Sequence, residues 1–189
     1  MPETTSTPDQ RDRILASALS VLQDEGAAAL TVRRVAAGAG CSTTGVYTYF
    51  GGKDGLVDAL FVEGFQSFDE ALVAAGHDLV DLGAAYRRWA LDHPTHYLVM
   101  FGRAVPDYVP SPDALHTAAP SFERLVDAVG RDRPDVALDE VRRRAFHLWA
   151  TVHGYVMLDL QGMSPPGVDG AEALFAFGLA QVTGRVSSH

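Results

Sequence analysis

The chain has 189 residues, a formal charge of −9 and 47% apolar residues. That apolar share excludes a disordered chain, and the acidic balance excludes a protein that coats nucleic acid without preference, while leaving room for a local basic surface. The single cysteine, Cys41, excludes an internal disulfide, and no apolar run reaches the length of a membrane span, so the cytoplasm is the expected compartment.

The opening, MPETTSTPDQ, is polar and proline-containing, has no apolar signal region, and is expected to be a flexible arm over residues 1–10. Ile14, Leu15, Ala18, Leu19 and Leu22 then recur at helical spacing, which predicts a first helix ending near Gly26. Thr31 suits the N-cap of a second helix whose Val32, Val35 and Ala36 face inward. Gly38 and Gly40 are expected to stop that helix, because glycine tolerates the left-handed turn. Ser42 caps a third helix running to about Phe50, and Gly51 and Gly52 break it. A long fourth helix is predicted from Lys53 to Ala75, with Val57, Phe61, Phe65, Phe68 and Leu72 as its apolar stripe. Further helices fit residues 78–92, 95–103, 113–130, 137–161 and 170–184, separated by His93-Pro94, VPDYVPSP, Arg133-Pro134 and MSPPG. No strand pattern is present, so the fold class is all-α with about nine helices.

Between Thr31 and Lys53 stand three cations, Arg33, Arg34 and Lys53, and no acid. Two short helices joined by a glycine turn make a helix-turn-helix, whose second helix can enter a DNA major groove with its first residues at the base edges. Those residues are Ser42, Thr43, Thr44 and Gly45. Their small side chains permit close approach, and the threonines offer hydroxyls to bases or phosphates and methyls to thymine. Tyr47 and Tyr49 lie about 200° apart on a helix, so at least one ring must project outward with its hydroxyl available to a phosphate. Lys53, the only lysine, sits in a helix first turn where the macrodipole disfavours a cation; a phosphate docked there reverses that penalty. Arg34 reads as a solvated neighbour of Arg33, and Cys41 as a small buried hydrophobe.

The string T-V-R-R-V-A…G-x-S-T-T-G-V-Y-T-Y-F-G-G-K-D-G-L resembles the DNA-binding domain of the TetR/AcrR family of bacterial transcriptional regulators over about residues 11–60. The resemblance implies phosphate contacts for Thr31, Tyr47, Tyr49 and Lys53, and base or backbone contacts for Arg33, Thr43, Thr44 and Gly45. Tyr49 stands where histidine is common in that family, and Gly52 where a capping serine is common. The implied organisation is a DNA-binding domain at 11–52 and a helical ligand-binding and dimerisation domain at 53–189.

In the second half, LWATVHGYVMLDL (148–160) is almost continuously apolar and AEALFAFGLAQV (171–182) is similar. A helix apolar all round must be covered, and a second copy of the chain is the expected cover, through a four-helix interface built by the last two helices. Ala residues and Gly178 favour close approach there. The W-x-x-x-H-G pattern at Trp149, His153 and Gly154 resembles the WHG-type C-terminal domain of some TetR-like regulators. Trp89, Tyr97, Phe101, Trp149, His153 and Met157 are candidates for a pocket that takes a small hydrophobic or aromatic effector, set against the reading that aromatics at this spacing form core. Trp149 and His153 lead, because a buried indole and imidazole each need a polar partner.

No catalytic motif and no cofactor loop appears. His93 and His96 are separated by a helix boundary at Pro94, and no third metal donor completes them. Arg142, Arg143 and Arg144 follow Asp139 and Glu140 and read as a solvated face. The sequence thus points to a non-enzymatic, homodimeric regulator that binds a near-palindromic operator in double-stranded DNA, expected to be a repressor released by its effector. Two other readings remain: an all-helical small-molecule-binding protein or enzyme with a vestigial helix-turn-helix, and a dimeric DNA-binding scaffold without ligand control.

Overall fold

The computed structural model describes residues 9–102, 104–163, 167 and 170–184. The expected arm falls mainly on residues outside the described set, as does the centre of the MSPPG break. The described residues form nine α-helices and one short 3-10 turn, and no strand. The helices are α1 (Gln10–Glu25), α2 (Val32–Gly38), α3 (Thr43–Phe50), α4 (Lys53–Ala75), α5 (Leu79–Asp92), α6 (Pro94–Phe101), α7 (Pro112–Asp132), α8 (Leu138–Leu160) and α9 (Ala171–Thr183). No described helix is long and apolar enough to cross a membrane.

The chain divides into two compact units. The first comprises residues up to Gly64 together with Thr95–His116. It contains α1 to α3, the first half of α4, all but the first residue of α6, and the start of α7. In α1, Ile14, Leu15, Ala18, Val21 and Leu22 are buried, the one-sided stripe that the spacing requires. Helix α1 packs on α2, and α2 on α3. Both predicted caps form: Thr31 Oγ1 accepts from the Arg34 amide at 3.2 Å, and Ser42 Oγ from the Gly45 amide at 3.3 Å.

Helix α2 ends at Gly38 as expected, although Gly38 is not the left-handed residue. It is the last residue of α2, and a Cβ there would lie 2.3 Å from Ser17 Oγ. A side chain there would displace the Ser17 hydroxyl of α1, which donates to the Val35 carbonyl of α2 at 2.9 Å. The left-handed residue of the turn is Gly40, at φ 63°.

The same unit fixes the segment between α6 and α7. Tyr108 Oη donates to Asp58 Oδ1 on α4 at 2.5 Å, and the Ser111 amide donates to the same oxygen at 3.2 Å. Burial and the adjacent carboxylate push the Tyr108 phenol well above its ordinary value. A loop with no regular structure is thereby held by one side chain of α4.

The second unit comprises Phe65–Pro94 and the residues from Thr117 onward. Here α5 packs on α8 and α9, and α8 on α9. The buried side of α8 is Val141, Ala145, Leu148, Val152 and Val156, so this helix is not covered all round. Gly178 lies under the Tyr155 ring, whose Cε2 would be 2.2 Å from a Cβ there; the close approach it permits is between α8 and α9 of one chain. Helix α7 runs through Pro120, which lacks the amide an interior helical position needs.

Candidate nucleic-acid interface

Helix α3 is short and one-sided. Val46 is its one buried residue, while Thr43, Thr44, Tyr47, Thr48 and Tyr49 are all exposed. Tyr47 and Tyr49 keep 57% and 43% of their surface, so both rings project, one on each side of the helix. Thr48 shares the outward side with Thr44 at i, i+4, and its hydroxyl donates to the Thr44 carbonyl at 2.9 Å. Sequence reading passed over Thr48; its spacing from Thr44 was the available signal.

The far end of α3 is locked to the start of α4. Gly51 adopts φ 70° and its amide donates to the Tyr47 carbonyl at 2.9 Å. The Tyr47 ring lies against Gly52, with Cε1 3.6 Å from where a Cβ would stand. Gly55, in the first turn of α4, allows closer contact still: a Cβ there would fall 1.9 Å from the Phe50 carbonyl oxygen. Lys53, half-buried, therefore belongs to the same rigid corner as the tyrosine beside it.

The cations are not equivalent. Arg34 forms a two-pronged pair with Glu25, Nε to Oε1 at 2.9 Å and Nη2 to Oε1 at 2.5 Å, and this partner raises its pKa. The window free of acids in sequence thus receives one in space. Arg33 is exposed, Thr31 is exposed at the N-cap of α2, and neither Arg33 nor Lys53 has an ion-pair partner among the described residues. Cys41 is half-buried rather than fully enclosed. Gly45 is half-buried.

The six effector candidates separate. Tyr97 is fully buried in the first unit, its ring 5.0 Å from that of Phe101. The other four lie in the second unit. Trp89 is buried, donates its indole N–H to Ser67 Oγ at 3.1 Å, and meets Phe68 edge-on. Trp149 is half-buried between Phe122 and Phe146, with His153 6.0 Å away. His153 Nδ1 lies 3.3 Å from Tyr86 Oη, and burial pushes its pKa down, which favours the neutral ring. Met157 is half-buried on the same helix. His93 turns towards the Trp89 carbonyl at 2.9 Å, whereas His96 pairs with Glu63 at 3.6 Å. A cleft of about 420 Å³ opens elsewhere in the second unit, with Leu79, Val129 and Leu148 among its apolar lining and Arg133, Arg143 and Arg144 among its cations. Each of these guanidinium groups is already held by a carboxylate.

A family profile described as "Bacterial regulatory proteins, tetR family" matches residues 14–60, and one described as "Tetracyclin repressor-like, C-terminal domain" matches residues 79–182. The chain belongs to the TetR family. This TetR-family regulator is 25% identical to the HTH-type transcriptional regulator Rv1816 of Mycobacterium tuberculosis H37Rv, over 85% of this chain and 88% of that one. Among solved structures, a regulatory protein designated SCO4313 superposes with a TM-score of 0.82 at 30% identity, covering 94% of this chain and all of the other. PfmR, a TetR-family transcriptional regulator from Thermus thermophilus, shares the fold at a TM-score of 0.64 and 17% identity, over 94% of this chain and all of that one. The C-terminal match spans Trp149, His153 and Gly154.

Proposed function

We propose that the protein is a homodimeric repressor that reads a near-palindromic operator with α3 and is released by a small hydrophobic or aromatic effector. The observation that carries the reading is the strip Thr43, Thr44, Tyr47 and Tyr49, exposed on a helix whose end is pinned beside Lys53. Thr43 and Thr44 approach base edges, Gly45 permits the approach, and Arg33 adds a base or backbone contact. Thr31, Tyr47, Tyr49 and Lys53 hold phosphates. Residues 11–52 form the DNA-binding domain and 53–189 the effector and dimer domain. The cytoplasm is the compartment this reading requires.

Two copies associate through α8 and α9. Support comes from apolar groups left outside: Phe146 is 56% exposed and Leu158 48% on α8, and Phe177 62% on α9. Ala150 and Gly154 share the outer side of α8 with Phe146 and Leu158 at steps of four, and small residues at such steps let two helices approach closely. Twofold symmetry then demands recognition helices about 34–36 Å apart, or a multiple.

The effector binds among Trp89, Trp149, His153 and Met157. Helix α4 is the connecting lever: Lys53 begins it, and Phe68, roughly 22 Å along it, touches Tyr86 and Trp89. The effector releases the operator only through a difference in affinity for the two half-site spacings. Gel shifts on a palindrome from the protein's own upstream region test the DNA reading: Thr43→Ala, Tyr47→Ala and Lys53→Ala should each weaken binding, and unchanged affinity in all three would sink it. Thermal shift against hydrophobic ligands tests the effector; a ligand that binds without changing operator affinity counts against coupling.

A further inference from the structure

Gly45 sits inside α3, where glycine costs about 1 kcal/mol relative to alanine. A neighbour within the chain occupies the space it leaves. A Cβ on Gly45 would lie 2.9 Å from Gln10 Nε2 and 3.9 Å from Gln10 Cδ, with Cys41 Sγ 3.8 Å away. The carboxamide of Gln10 therefore fills the notch in the flank of α3, between the buried side at Val46 and the outward side at Thr44 and Thr48. The next residue of α1 also meets α3: the Arg11 guanidinium lies 5.5 Å from the centre of the Phe50 ring.

Gln10 is half-buried, and its carboxamide has no hydrogen-bond partner among the described residues. The amide is reached by solvent rather than sealed in, and its two N–H donors are available to a partner. The charges around it balance, since Asp9 and Asp12 alternate with Arg11 and Arg13, all exposed. A neutral donor in such a setting suits an anion met at short range better than one drawn from afar.

We propose that Gln10 is a further DNA-contacting residue, seated on Gly45 and donating from its carboxamide to a backbone phosphate at the edge of the groove that α3 enters. This rests on the operator-binding reading above. It reverses the order of cause at Gly45: the missing side chain makes room for Gln10, and Gln10 extends the surface.

The test is fluorescence anisotropy of the full chain on the upstream palindrome and on a scrambled duplex, across a salt series, with melting curves alongside. Gln10→Ala should weaken both duplexes by about fivefold, leave the salt slope unchanged because no charge is lost, and melt with the wild type. Gln10→Glu keeps the shape but faces phosphate with a carboxylate, so it should weaken binding more than tenfold. If both variants bind within twofold of wild type, the proposal is overturned. If the two lose affinity equally and melt lower by the same amount, Gln10 only buttresses α3 and the contact is again overturned. A loss confined to the palindrome would overturn the phosphate assignment. Thr43→Ala, Tyr47→Ala and Lys53→Ala, run in parallel, separate the two levels: with wild type unable to bind the palindrome, or all three indistinguishable from it, the operator reading fails; with any of them weak and Gln10→Glu unaffected, only the Gln10 inference fails.

Discussion

Gly55→Ala probes how the recognition helix is held in place. A Cβ at this position would stand 1.9 Å from the Phe50 carbonyl oxygen and 3.0 Å from its carbon. Non-bonded carbon and oxygen atoms settle near 3.4 Å, so one backbone must retreat by roughly 1.5 Å. Both obstructing atoms are main chain, and no rotamer change relieves them. Overpacking of this kind costs about 1–3 kcal/mol, while alanine in place of a helical glycine returns about 1 kcal/mol. The net expectation is a loss of up to about 2 kcal/mol, which lowers the melting temperature by up to about 8 °C in a chain of this size. Affinity should fall as well, because the retreat separates α3 and Tyr47 from Lys53; about tenfold weaker operator binding corresponds to ~1.4 kcal/mol. Differential scanning calorimetry and anisotropy read the two effects. Gly130→Ala is the control, since a Cβ there makes an ordinary 3.7 Å contact with Val141, and it should melt about 2–4 °C higher. A Gly55→Ala protein that melts with the wild type and binds operator within twofold would refute the close-approach reasoning.

Glu25→Gln should release Arg34, raise operator affinity a few-fold and steepen the slope of log affinity against log salt by about one; an unchanged slope means Glu25 does not hold that charge back. Burial lowers His153, so the unfolded chain binds its proton more readily than the folded one. The stability involved is complete above the ordinary histidine value near 6.5 and is lost as pH falls from there through the lowered folded value. His153→Gln should flatten that part of the melting-temperature curve, and a curve of unaltered shape would show another group responsible. Phe177→Arg should turn a dimer into a monomer in light scattering while helix content is kept; a persistent dimer argues against the outer surface of α9.

Local chemistry was legible in the sequence, and distance was not. Thr31 and Ser42 announce their helices because a cap acts within three residues. Pro94 begins α6, and the break at Arg133-Pro134 falls between α7 and α8, because proline acts on its own backbone. Gly38 and Gly55 were opaque: their purpose is set by Ser17 and by the Phe50 carbonyl, partners that only the fold supplies. Arg34 looked solvated because Glu25 is nine residues away across a turn, at no helical spacing. The stripe Val57, Phe61, Phe65, Phe68 and Leu72 reads as one continuous surface, yet the boundary between the two compact units falls between Gly64 and Phe65. Nothing in a periodic pattern marks the point where an unbroken helix changes the core it serves. Apolar composition likewise says what prefers cover and not what supplies it: within one chain Phe146 and Leu158 of α8 stay outside.

The pairing of Arg34 with Glu25 bears on how such a protein would find its site. A cation beside the proposed DNA contacts is already held by a carboxylate, and the rest of the chain is acidic. On the operator-binding reading, attraction to arbitrary sequence would be weak and residence on wrong sites brief. Search would then proceed by many short visits rather than long one-dimensional slides, and an encounter would last only where the outline of the groove fits α3. On the operator-binding reading, Glu25 would in this sense temper the pull towards any DNA, right or wrong, and leave the choice of site to the fit of α3.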